Sequence, residues 1–199
     1  MNPSFPQASV FADGILEPLR GRFAFTVAGG GTLAANVTVR AFVDGIGQNA
    51  AGGIALVQGD FSLQGGLIPS GIGYEVHGMS CYWTQDTLAA VPADLTVLSL
   101  GSNTWLQMMY AGNLYDLGRV AEYAGPWGSP TGLNNVQFPR RFGWPWMKAE
   151  KPLFLEPGKQ FWIQGQSLRA LAGQAAGTWV CDIVMLARRV AQGVSAVKQ

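Results

Sequence analysis

From Leu33 to Val43 every second residue is apolar: Leu33, Ala35, Val37, Val39, Ala41 and Val43 fall on one side, and Asn36, Thr38 and Arg40 on the other. A helix, at about 3.6 residues per turn, would scatter these side chains around its circumference; a strand collects them on one face. Phe23, Phe25 and Val27 alternate in the same way with Arg22, Ala24 and Thr26, and Gly29-Gly30-Gly31 separates the two runs as a turn. A chain with this rhythm must pack sheets rather than helices.

The rhythm continues downstream. Residues 52–64 read as a strand bent at Gly59, and residues 72–83 as a second, rich in aromatics. Leu95 to Leu100 and Thr104 to Tyr110 flank Gly101-Ser102-Asn103 and predict a hairpin. Leu153-Phe154-Leu155 and Gln160 to Ile163 flank Glu156-Pro157-Gly158-Lys159. Proline second and glycine third is type II turn chemistry, because proline presets φ and glycine accepts a positive φ. Thr178 to Arg188 is a long apolar strand. Helical periodicity is weak throughout, with room for short helices only at 84–92 and 166–175. About eight strands without crossover helices predict an all-β, antiparallel sandwich or barrel rather than a parallel α/β sheet, and the sandwich is the architecture expected. The expected organisation is an extended N-terminal arm at 1–20, one sandwich domain at 21–190 and a tail at 191–199.

Charged residues make up 13% of the 199-residue chain, about half the roughly 25% usual for soluble domains. A surface short of charge is poorly protected against association, which points to a place inside an oligomer. The net charge of +1 hides an asymmetry. Residues 1–139 carry four basic residues, Arg20, Arg22, Arg40 and Arg119, against nine acidic ones; residues 140–199 carry nine basic against three acidic. Two readings follow: the segments intermix in space, or a basic C-terminal third contacts nucleic acid, a membrane or an acidic neighbouring copy. No run of five basic residues marks a dedicated nucleic-acid domain.

Cys81 and Cys181 sit in apolar, strand-like stretches without a C-x-x-C pair or a Cys/His cluster, so free buried thiols are expected and a disulfide is left open. The first residues lack the basic start and apolar core of a signal peptide, and no apolar run of about eighteen residues occurs. The expectation is synthesis in a cytoplasm, with the sequon Asn36-Val37-Thr38 unused.

One stretch breaks the strand rhythm. Between 122 and 151 come Trp127, Phe138, Arg140, Arg141, Phe142, Trp144 and Trp146, interleaved with prolines. Long connections of this kind are rare unless functional or disordered, and aromatic content argues against disorder. Trp and Arg dominate interface hot spots, so these seven residues are the interface candidates. Arg188 and Arg189, ending the last strand, are candidates for an anion or partner contact.

Catalytic signatures are missing. The chain has one histidine, His77, no G-x-S-x-G elbow and no phosphate loop. Glu75 and His77 share a strand face and could begin a metal site, but a third ligand would have to come from elsewhere. No enzyme activity, cofactor or metal is expected.

The arm at 1–20, the strands from Arg22 to Arg188, and the ending Leu153-Phe154-Leu155-Glu156-Pro157-Gly158, Phe161-Trp162-Ile163, Val180 to Ala187 resemble the small single-jelly-roll capsid or capsid-associated proteins of bacteriophages. The resemblance implies a jelly-roll fold and a structural role in a virion. The implied partners are copies of the chain, as trimers or larger assemblies, and other virion proteins. The alternatives are a carbohydrate- or receptor-binding sandwich of tail-fibre or decoration type, stacking sugars on Trp127, Trp144 and Trp146, and a hydrolase with paired carboxylates.

Overall fold

The computed structural model describes residues 15–43, 49–50, 54–55, 62–85, 94–123 and 153–191. The elements in chain order are β1 (Ile15–Val27), β2 (Thr38–Ala41), β3 (Asn49–Ala50), β4 (Ile54–Ala55), β5 (Ile72–Gln85), α1 (Asp94–Asn103), β6 (Thr104–Tyr110), β7 (Asn113–Arg119), a 3₁₀ turn (Val120–Tyr123), β8 (Leu153–Leu155), β9 (Phe161–Ser167) and β10 (Gly177–Ala191). Eight of the strands form two four-stranded antiparallel sheets, ordered β1-β10-β5-β8 and β2-β9-β6-β7; β3 and β4 pair only with each other. The all-β sandwich expected from the alternation is present.

The pairing is nested. β1 pairs with β10, β2 with β9, β5 with β8 and β6 with β7, so the chain resembles one long hairpin folded over on itself. Contacts of β10 with β5 and of β9 with β6 complete each sheet. Of these eight strands only β6 and β7 are neighbours both in sequence and within a sheet. The Glu156–Lys159 turn forms as expected, with Gly158 at φ 72 and Lys159 N donating to Glu156 O. It carries the chain from β8 in one sheet to β9 in the other, so it arches between the sheets and closes no hairpin.

Several expectations are corrected. Ile15 to Arg20 belong to β1, so the sandwich begins before residue 21. The run 33–43 contains only four strand residues: Asn36 and Phe42 adopt left-handed φ values of 60 and 71, and Leu33 makes a single bridge to Leu171. Residues 62–64 lie outside any strand, and of 52–64 only Ile54–Ala55 is a described strand. Residues 84–85 end β5 rather than starting a helix, and 166–175 hold the end of β9 and an irregular loop.

The hairpin expected around Gly101-Ser102-Asn103 is instead helix α1 running into β6. The helix buries Thr96, Leu100 and Asn103, spaced four and three apart on one face. Its anchors are polar. Thr96 Oγ1 accepts from Ala175 N at 2.9 Å, Asn103 Nδ2 donates to Arg169 O at 2.9 Å, and Asn103 Oδ1 accepts from Arg169 N at 3.0 Å. The true hairpin turn is Tyr110-Ala111-Gly112-Asn113, with φ 50 at Ala111 and 84 at Gly112, the type I′ geometry that matches strand twist. Alanine is a poor occupant of that first position, and asparagine tolerates it better. Ala111→Asn is therefore expected to raise stability by about 0.5–1 kcal/mol. Chemical denaturation checks this, and an unchanged or lower midpoint refutes it.

The sheets interlock through aromatic rings seated on glycines. Phe23 of β1 lies against Gly165 of β9, and Phe42 lies against Gly21 of β1; a Cβ on either glycine would come within 2.6 Å of the ring. Phe23 also meets Trp83 and Phe25 edge-on at 5.8 and 5.9 Å, and Phe42 tilts against Phe161 at 5.2 Å. A left-handed Phe costs about 1–2 kcal/mol. Burial of its ring, roughly 1.5–3 kcal/mol, offsets that strain. Trp179, Ile183, Met185, Val76, Leu106 and Ile163 fill the remainder of the space between the sheets. Cys81 and Cys181 are both free and buried. Cys181 lies opposite Trp83 and Cys81 opposite Ile183, which makes the cysteines diagonal neighbours on the core face. Burial, and then the neighbouring Cys81, push the Cys181 thiol well above its ordinary value, so it stays protonated and unreactive.

Candidate interaction surfaces

The outward face of the first sheet holds two ion pairs, each bringing an N-terminal residue to β10. Arg22 Nε meets Asp182 Oδ1 at 2.6 Å, and Arg188 Nη2 and Nε both lie 2.7 Å from Glu75 Oε2. The acidic and basic portions of the chain therefore intermix here, as β1 and β5 flank β10. Arg188 and Arg189 do not form one basic patch: strand alternation turns them to opposite sides, with Arg188 engaged by Glu75 and Arg189 exposed. His77 is the extra residue of a bulge, since Leu186 pairs with Gly78 and Ala187 with Val76. Its partner in the imagined metal site, Glu75, is committed to Arg188; among the described residues no group of three metal-ligating side chains occurs.

The outward face of the second sheet is a grid that sequence reasoning did not single out. In one row Thr38, Gln166, Trp105 and Arg119 stand side by side across β2, β9, β6 and β7. The next row is Arg40, Gln164, Gln107 and Asp116, and the third holds Trp162, Met109 and Leu114. Amides and indoles occupy positions where a solvated sheet ordinarily carries charges. Gln164 Nε2 donates to Gln107 Oε1 at 2.8 Å, Gln107 Nε2 to Asp116 Oδ1 at 2.9 Å, and Trp105 Nε1 to the same oxygen at 3.1 Å. These donors, Gln107 first and Trp105 second, hold the Asp116 carboxyl below its usual range. The Arg40 guanidinium lies over Trp162 at 5.1 Å. The signal was in the sequence: Trp105-x-Gln107 and Trp162-x-Gln164-x-Gln166 are alternating positions on recognised strands.

At the end of β7 the 3₁₀ turn brings Tyr123 into the core, where its hydroxyl donates to Leu117 O. Burial pushes this phenol well above its ordinary value, keeping it a donor at all physiological pH. Glu122 Oε1 accepts from Arg119 N at 3.3 Å. The aromatic-loop candidates Trp127, Phe138, Arg140, Arg141, Phe142, Trp144 and Trp146 lie outside the described residues, as do residues 1–14 and 192–199.

No protein-family model, curated protein or solved structure matches the chain. Among the described residues no helix is long and apolar enough to cross a membrane.

Proposed function

We propose that this protein is a structural subunit of a viral particle of the bacteriophage type, a jelly roll that works through contact between copies. The observation that carries the reading is the nested strand order. With the two-residue pair β3–β4 set aside and the remaining strands counted in sequence, first pairs with last, second with seventh, third with sixth and fourth with fifth. This order supports a two-Greek-key jelly roll, a fold used by viral capsid and lectin domains and by cupins. A fold does not choose among these by itself. A cupin-type centre needs clustered histidines, whereas this chain has a single histidine, at a bulge in β5.

Two surface features favour the structural role over sugar binding. Charge is scarce, and Gln164, Gln107, Trp105 and Asp116 of the second sheet's grid are already hydrogen-bonded to one another, with Arg40 laid over Trp162, whose Nε1 is buried without a hydrogen-bond partner among the described residues. A face so organised suits packing against another protein better than holding hydroxyl groups. Light scattering coupled to size-exclusion chromatography of the full chain at micromolar concentration is expected to show trimers or larger assemblies, and electron microscopy discrete particles or rings. A strict monomer at every concentration, with no assembly by microscopy, would overturn the proposal.

A further inference from the structure

The four sheet edges are treated unequally. The open side of β1 is covered by Ser62: its N–H donates to Arg20 O, its hydroxyl donates to Pro18 O, and the same oxygen accepts from Arg20 N. β2 and β8, the edges next to β9 and β5, are only four and three residues long. Short strands, proline and covering segments are the usual means of blunting an edge. β7 has none of these; its bulge, at Leu117, lies beyond residues 113–116. The strand is seven residues long, its sequence NLYDLGR lacks lysine and proline, and Asn113 to Asp116 are all exposed. Leu114 keeps 47% and Tyr115 40% of their surface. The one acidic side chain, Asp116, is turned back over the sheet towards Gln107 and Trp105. Among the described residues no strand pairs with this edge.

We infer that β7 is the edge through which two copies of this chain join, antiparallel, across a two-fold axis at residue 115. The inference deepens the self-association proposed above, but it stands on edge geometry and not on the identity of any particle. Hydrogen-bond parity sets the register. In a two-residue hairpin the closing pair, here Tyr110 and Asn113, exchanges both of its main-chain bonds, and bonded and non-bonded pairs then alternate. Tyr115 is bonded to β6 through its main chain, while the N–H and C=O groups of Leu114 and Asp116 face the open edge. An antiparallel partner must place its own outward residues opposite these. Asp116 opposite Asp116 sets like charges together, and Leu114 opposite Leu114 leaves little beyond the hairpin tip in contact. Leu114 opposite Asp116 satisfies both outward residues of both copies and brings residue 115 face to face with its own copy. The two four-stranded sheets then become one of eight strands.

Residue 115 becomes a non-hydrogen-bonded pair across the axis, with Cα atoms about 4.5 Å apart, inside the range of a disulfide. Tyr115→Cys in the full chain is therefore expected to form a disulfide-linked dimer under mild oxidation. Buried Cys81 and Cys181 do not compete. Leu114→Cys, facing Asp116 of the other copy, is expected to link far less. Leu114→Pro removes only an outward N–H, so circular dichroism should stay native while association weakens roughly tenfold or more. If light scattering shows assembly but Tyr115→Cys fails to cross-link, the β7 contact is wrong and the structural role stands. If the native chain is monomeric and no cross-link forms, both fail.

Discussion

Phe23→Ala is expected to cost about 3–5 kcal/mol of unfolding free energy, because it empties the space the ring fills between the sheets. The ring is fully buried, meets Trp83 and Phe25 edge-on, and fills the depression over Gly165. Gly165→Ala attacks the same contact from the other side: its methyl would sit 2.6 Å from Phe23 Cζ, and overpacking of this kind costs about 1–3 kcal/mol. The two changes are coupled. In the double variant the new methyl enters volume that the ring has vacated, so the combined loss should fall short of the sum by about 1 kcal/mol or more. Guanidinium denaturation of the four proteins, with m-values compared, measures this. Additive losses would mean that ring and glycine do not oppose each other.

The second large effect concerns the outward face of the first sheet. The Asp182 side chain retains only 9% of its surface and that of Arg22 25%. Removing one partner leaves the other poorly solvated, and Asp182, the less exposed, suffers more. Arg22→Met is expected to lose about 2–3 kcal/mol, below the 3–5 of a fully buried pair. Arg22 and Asp182 each make at least one further interaction that softens the loss. Arg22→Met combined with Asp182→Leu should recover most of it and return to within about 1 kcal/mol of the native protein. A double variant no better than Arg22→Met would show that the pair is worth more than the apolar contact replacing it.

These effects lie where the sequence is most legible. β1, β5, β9 and β10 cover all but Gln160 of the runs read as strands at 23–27, 72–83, 160–163 and 178–188 and supply most of the buried apolar residues. What escapes sequence reading has identifiable causes. Helix α1 hides because its buried positions include Thr96 and Asn103, whose partners are main-chain groups of the loop after β9. β7 hides because an edge with both sides exposed has no apolar alternation to betray it. Pairing partners hide because the Glu156–Lys159 turn has hairpin chemistry but links strands of different sheets. Of the proposed contact residues, Arg188 and Arg189 are placed and separated, and the aromatic-loop candidates fall outside the described residues. The amide and indole grid was visible only as the polar side of recognised strands; its cohesion depends on β9, β6 and β7 lying side by side, which no local pattern encodes.

The nested pairing has a consequence for how the chain is made. Arg22 meets Asp182 across a separation of 160 residues, and β1 finds its sheet partner only in the last strand described. On a ribosome the first strand therefore emerges long before anything it can pair with. Among the described strands of the two four-stranded sheets, the β6–β7 hairpin is the one pairing of consecutive strands, and its alanine-containing turn is a weak starting point. Contacts this distant in sequence make folding slow and leave apolar strand faces uncovered while synthesis proceeds. The first strand translated must wait for the last, and the chain depends for that interval on whatever keeps nascent copies apart.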